Sequence, residues 1–236
     1  MKILALDTSG KQAVAAIVNG YITLGEIIVN SKTGENSWTH SETLMPIVDE
    51  LFKLTRLKPE ELDYVAYTNG PGSFTGLRIA VSTALGLAKA LNIPAVPVPT
   101  LDAFAYNTFE SGFTGVVMPM LDARRGQVYT GIYNVDGVAI KRITDYLACS
   151  IDSSLTTVVE TFDSKLLVFG DGAIVNEEMI NKITPHAIIL KTQNHIRGSS
   201  IAFCALEKIR NGEDFSKPVD IIYVREPQAV REQKKS

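Results

Sequence analysis

The sequence predicts an α/β protein of two lobes, each a mixed sheet with an antiparallel meander and flanking helices. Two observations predict it. Short apolar runs of strand length alternate with longer helical patterns, the grammar of sheets covered by helices. The order of elements in the first half also recurs in the second, where an acidic residue, Asp7 or Asp122, closes the first strand and an Asn-Gly or Asp-Gly turn follows. Two lobes facing a cleft is the architecture this repetition implies.

In the first half, Ile3 to Asp7 reads as a buried strand and Ala13 to Val18 as the next, joined by a tight turn at Ser9-Gly10. Asn19-Gly20 then offers the two positive-φ positions of a type I′ hairpin, and Ile22 to Val29 completes the meander. A polar stretch from Asn30 to Thr39 leads to a helix over Ser41 to Leu54. Next come a strand at Tyr64 to Thr68, a glycine-rich turn, a helix over Thr75 to Leu91 and a strand at Ala95 to Val98. The second half runs through strands Val116 to Leu121 and Val128 to Tyr133, the pair Asp136-Gly137, and strand Val138 to Ile143. A helix, strand Leu166 to Phe169, helix Ile174 to Ile183 and strand Ala187 to Leu190 follow. A last helix over Ser199 to Arg210 opens on serine and has Gly212 just past its end. The predicted lobes are therefore 1–99 and 100–225, with the last helix free to pack back on the first lobe, and 226–236 forms a flexible basic tail.

Composition narrows the function. The 236 residues are 45% hydrophobic and 21% charged, ordinary for a chain with a real core, and the formal net charge of −3 gives no global positive field to hold a phosphate backbone. Any role on RNA is expected to run through a partner. The two cysteines, Cys149 and Cys204, form no CxxC pair, as free thiols in a reducing compartment would not. The apolar start is too short for a signal peptide, and no run approaches the roughly 20 residues of a membrane span, so the cytoplasm is the expected location.

Asn69-Gly70-Pro71-Gly72-Ser73-Phe74-Thr75-Gly76-Leu77-Arg78 joins a strand to a helix. Its amides would lie at a helix N-terminus, where anions are favoured. The alternative is that the glycines serve a sharp turn and close packing while Ser73 or Thr75 caps the helix. No Lys-Ser/Thr pair follows, so it is not a Walker A loop. Asp7 and Asp122 have the same two readings, as a metal-phosphate pair or as strand-end carboxylates capping turns.

The turn resembles the signature of the TsaB and TsaD families, which belong to the actin-like ATPase (ASKHA) superfold. Leu6-Asp7-Thr8-Ser9, His40-Ser41, Asp122-Ala123-Arg124-Arg125, Gly170-Asp171-Gly172-Ala173 and Tyr223-Val224-Arg225 resemble TsaB in order along almost the whole chain. On this resemblance the signature turn is Gly70, Gly72, Ser73, Thr75 and Gly76, and vestigial nucleotide-site positions fall at Asp7, Thr8, Ser9, Gly170 and Gly172. The catalytic TsaD relatives carry a His-x-x-x-His metal pair where this chain has Thr100 and Phe104, so the resemblance implies no catalytic residue and no metal. Asp171 places a negative charge at the second-lobe turn, and weak or absent ATP binding is expected. The implied role is a non-catalytic subunit in tRNA threonylcarbamoyladenosine synthesis. It would pair with a TsaD-type catalytic subunit and with itself, help recruit a TsaE-type ATPase, and meet tRNA only through the complex. An ATP-dependent kinase of the superfold and a metallopeptidase are the rivals.

The helix over Thr75 to Leu91 is apolar almost all round and that over Ser41 to Leu54 has a wide apolar stripe, whereas a sheet covers one side. A partner surface is therefore expected at Leu44, Ile47, Val48, Leu51, Leu77, Ala80, Val81, Ala84, Leu87 and Ala88. The alternative is that the two helices cover each other. The TsaB resemblance implies pairing through these same helices.

Overall fold

The computed structural model describes residues 1–30, 39–137, 139–162, 164–216 and 220–225, with the side chains of 157–161 left aside. The polar stretch at 31–38, Val138 and the basic tail lie outside them. Two compact units result, Met1–Tyr106 with Ile196–Ile222, and Asn107–His195 with the described residues from Tyr223. The boundary expected at 99/100 thus falls later, and the last helix belongs to the first unit. The physical reason is packing: the helix at 100–105 and the last helix both lie on the first unit's core.

In the first unit the sheet order is β3-β2-β1-β4-β5, with β1 (Lys2–Asp7), β2 (Gln12–Asn19), β3 (Ile22–Asn30), β4 (Tyr64–Thr68) and β5 (Ala95–Val98). The meander is antiparallel, while β4 and β5 run parallel to β1. The first hairpin turns on Gly20 and Tyr21, because Asn19 already pairs with Ile22. Positive φ falls on Gly20 alone, the II′ pattern and not the I′ expected from Asn19-Gly20.

One sheet face, through Leu4, Leu6, Ala15, Ile17, Val65 and Tyr67, packs on α1 (His40–Thr55) and α2 (Phe74–Leu91). Helix α1 starts earlier than expected because Thr39 and Glu42 form a capping box: the Glu42 amide donates to Thr39 Oγ1 at 3.3 Å and the Thr39 amide to Glu42 Oε2 at 2.9 Å. By length and composition alone α2 could cross a membrane, with a mean hydropathy of 1.2 over 18 residues, contrary to the sequence expectation. Its Gly76, Leu77, Ala80, Ala84 and Ala88 are nevertheless buried.

The opposite face receives α7 (Gly198–Arg210), against which α3 (Thr100–Ala105) packs. Helix α7 begins on glycine because a Cβ at Gly198 would lie 2.6 Å from Ala16 Cβ. Its first turn is not capped by its own serine as expected. Glu26 on β3 accepts from the Ser199 amide at 3.2 Å and its hydroxyl at 3.3 Å, a carboxylate at the positive helix end.

Among the described residues the second unit has seven strands: β6 (Thr114–Arg124), β7 (Gln127–Thr130), β8 (Tyr133–Asp136), β9 (Ile140–Arg142), β10 (Leu147–Ser150), β11 (Leu166–Phe169) and β12 (Ile188–Leu190). The single strand expected over Val128 to Tyr133 is split. Its two parts pair with successive stretches of β6 on either side of Pro119, which has no N–H to donate. Instead, Thr130 Oγ1 donates to the Pro119 carbonyl at 2.9 Å. The helix expected over Ile174 to Ile183 is also divided, into α5 (Asp171–Val175) and α6 (Glu177–Ile183), at Asn176, whose amide side chain returns to the Gly172 carbonyl at 2.8 Å. With α4 (Ile151–Thr161), these helices close a core of Val116, Met118, Met120, Leu155, Val168 and Ile180.

Candidate functional site

The glycine turn is built from contacts that reach across the first unit. The Asn69 amide donates to the Val98 carbonyl at 3.0 Å, and Gly70 and Thr100 exchange two bonds, Gly70 N–H to Thr100 Oγ1 at 3.0 Å and Thr100 N–H to the Gly70 carbonyl at 2.8 Å. The Gly70–Pro71 bond is cis. Ser73 caps α2 by accepting from the Gly76 amide at 3.3 Å, while its own amide donates to the Ser9 carbonyl at 2.7 Å. Thr8 Oγ1 donates to the Gly76 carbonyl at 2.7 Å.

Close approach is what demands the glycines. A Cβ on Gly76 would run into the Thr8 carbonyl, and one on Gly72 would lie 2.7 Å from the Ser9 carbonyl oxygen. At Gly70, with φ of 111°, it would strike the Ile222 carbonyl. Residues near the end of the chain cross here, the Ile222 amide donating to the Asn69 carbonyl at 2.7 Å and Asn69 Nδ2 to the Asp220 carbonyl at 3.2 Å. The turn amides at Asn69, Gly70, Ser73 and Gly76 are thus spent on the chain itself.

Asp7, Thr8 and Ser9 are buried beneath this turn. Burial raises the Asp7 carboxyl above the usual carboxylate range, partly offset by Ser9, whose amide donates at 2.9 Å, and by the Thr68 hydroxyl. Ser9 Oγ and Asn69 Oδ1 are buried without a hydrogen-bond partner among the described residues. In the second unit, Gly170 has φ of 104° and Gly172 backs onto Leu121 and Asp122. The Asp171 carboxylate accepts the Asp122 amide at 2.9 Å, and Asp122 in turn accepts the Arg124 amide at 2.8 Å. Both strand-end aspartates therefore cap turns.

Thr100 is fully buried with its hydroxyl held by the Gly70 amide, and Phe104 is fully buried. Among the described residues no group of three His, Cys, Asp or Glu stands where it could hold a metal.

The helix face departs from the expected one. Leu44, Ile47, Val48, Leu51, Leu77, Ala80, Ala84 and Ala88 are buried within the first unit, so they cannot present a surface to a partner. Small residues on α2 let the helix settle deeply onto the sheet, and the wide α1 stripe is spent on the same core. Of the ten positions, only Val81 and Leu87 keep exposed area. The apolar surface lies elsewhere, at Met45 (44% exposed) and Leu54 (67%) on α1 and at Phe74 (37%) and Leu85 (47%) on α2. Phe74, Arg78, Val81 and Leu85 follow one helical row, with the Arg78 guanidinium 3.8 Å from the Phe74 ring centre. Alternation and helical period give no sign of which side of so apolar a helix faces out, so Met45, Phe74 and Leu85 were not legible in sequence. Neither were Glu26 and Ile222, whose contacts join distant parts of the chain.

Residues 28–207 match the family described as TsaD, tRNA N6-adenosine threonylcarbamoyltransferase. A Bacillus subtilis protein, the tRNA threonylcarbamoyladenosine biosynthesis protein TsaB, is 32% identical over 210 residues, 88% of each chain. The chain belongs to the TsaB/YeaZ family. A solved Pseudomonas aeruginosa structure, of a protein with similarity to peptidase YeaZ, superposes with a TM-score of 0.76 at 22% identity over 95% of this chain and 99% of that one. The ROK hexokinase of Thermus thermophilus aligns at 0.51 with 12% identity, over 90% of this chain and all of its own. These likenesses show the fold, which this chain shares with the two structures.

Proposed function

We propose that this TsaB/YeaZ-family chain is a non-catalytic subunit of the machinery that makes N6-threonylcarbamoyladenosine at position 37 of tRNA. It pairs with a TsaD-type catalytic subunit and with a second copy of itself, and helps to recruit a TsaE-type ATPase in the cytoplasm. The observation that carries the non-catalytic reading is the fate of positions 100 and 104. The first is a buried threonine holding the glycine turn and the second a buried phenylalanine, which has no donor atom for a metal. The pathway follows from the name borne by the Bacillus subtilis relative.

The pairing surface is the outward side of α1 and α2, where Met45, Val81 and Leu85 offer apolar area to a neighbouring helix. Weak or absent ATP binding is part of this reading, supported in the first unit by the Ser73 and Gly70 amides being spent and, separately, in the second by the negative charge of Asp171 at its turn. The test is co-purification with the catalytic subunit together with sedimentation of the chain alone. Leu85→Glu must desolvate a charge on association, at about 2 kcal/mol or more, roughly a 30-fold weakening. A folded Leu85→Glu protein that keeps both associations would remove this surface from the proposal.

A further inference from the structure

The hairpin between β6 and β7 turns on Arg125 and Gly126, and these two, with Arg124 at the end of β6, are all left-handed, with φ of 56°, 70° and 62°. Glycine takes this conformation freely, whereas an arginine takes it against the clash of its Cβ, and asparagine would sit there more easily. Among the described residues no contact of either arginine side chain offsets that strain. Both arginines are exposed, and neither side chain hydrogen-bonds or pairs with an acid among the described residues. Yet the turn is firmly braced: Asp122 holds the Arg124 amide at 2.8 Å, Asp171 holds the Asp122 amide at 2.9 Å, and Arg225, from near the other end of the chain, donates Nη1 to the Ala123 carbonyl at 3.2 Å. Two exposed guanidinium groups thus stand at neighbouring positions of one hairpin, on a chain with formal net charge −3.

We infer that this hairpin is a phosphate-contacting surface fitted to the phosphodiester backbone of an RNA. A guanidinium presents a planar fork of donors that matches phosphate oxygens, and a braced turn displays two such forks in adjacent positions. That gives a reason for arginine where asparagine or glycine would relieve the backbone. An acidic protein is the competing occupant, but protein interfaces are centred on apolar groups, and the turn residues Arg124, Arg125 and Gly126 supply none. The inference rests on the proposed tRNA role only for the identity of the RNA. It adds a direct contact where that role alone would place tRNA wholly on the partner.

The test is fluorescence anisotropy of the full chain with an unmodified tRNA transcript over a salt series starting at low ionic strength. The double variant Arg124→Asn with Arg125→Asn removes both charges and suits the left-handed backbone, so its melting temperature should equal or exceed that of the wild type. Its affinity at low salt should fall about 10-fold or more, and the slope of log K against log salt should shrink by about 1.5. Equal affinity and slope in the two proteins would overturn the inference, as would failure of the wild type to bind at low salt. Unchanged RNA binding with loss of the catalytic subunit in pull-down would assign the arginines to a protein and overturn it too. The RNA titration uses the chain without its catalytic partner, whereas the pairing surface is read by sedimentation and pull-down of Leu85→Glu, so failure here and failure of the pairing surface are distinguished.

Discussion

At the residue scale, Asp7 shows how burial and hydrogen bonding compete. Its carboxyl is raised above the ordinary 3.8, burial outweighing the donors Ser9 and Thr68. An acid whose pKa is raised on folding holds its proton more tightly in the folded state. Stability therefore falls as pH climbs from the unfolded value through the raised one, and the penalty is complete above it. Asp7→Asn keeps an oxygen for both donors and cannot ionise. Thermal melts should place it above the wild type at neutral pH, with the gap closing as pH drops toward 3.8; a variant less stable than wild type at every pH would show that the charge itself is needed. Gly76 tests close approach in the same way. Alanine in a helix usually gains about 1 kcal/mol over glycine, but here its Cβ meets the Thr8 carbonyl, and overpacking costs about 1–3 kcal/mol. Since the neighbour is backbone and cannot rotate away, the upper figure should win. Gly76→Ala should lower the melting temperature by roughly 5 °C or more, and a rise would mean the turn can shift.

At the element scale, α1 and α2 separate core from surface. Val48 and Ala84 are buried, whereas Met45 and Leu85 are 44% and 47% exposed on the same helices. Charge at the first pair acts on folding and at the second on association. Ala84→Glu should cost on the order of 3 kcal/mol or more and unfold much of the protein, while Met45→Glu and Leu85→Glu should shift the melt by no more than about 0.5 kcal/mol. Circular dichroism melts beside sedimentation distinguish the two, and equal destabilisation of both classes would contradict this division. The capping box at Thr39 and Glu42 was missed by a reading that began the helix at Ser41, although Thr-x-x-Glu before an apolar run is a local signal. The cap of α7 was not legible, because its acceptor Glu26 stands on β3, and the split of the second-unit strand hinged on Pro119 in a different strand.

At the scale of the whole molecule, the proposed non-catalytic role predicts a chain that is inert alone. Purified without partners, it should carry no stoichiometric zinc or iron, and ATP titration by calorimetry should show weak or no binding. Metal retained through a chelator wash, or tight nucleotide binding, would return the kinase or metallopeptidase rivals to consideration. Its expected activity is conditional, appearing as a gain in threonylcarbamoyl transfer when it is added to the catalytic subunit.

The sequence by itself determined the repeated order of strands and helices, the signature turn and the family. These are written in local period, in glycine and proline positions, and in motif residues. Tertiary structure alone decided which side of α2 faces outward, since a helix apolar all round carries no phase. It also decided why the turn needs its glycines, through the Thr8, Ser9 and Ile222 carbonyls that press on it, and which unit owns α7. Each of these rests on contacts between residues far apart in the chain, and such contacts leave no mark on local sequence pattern.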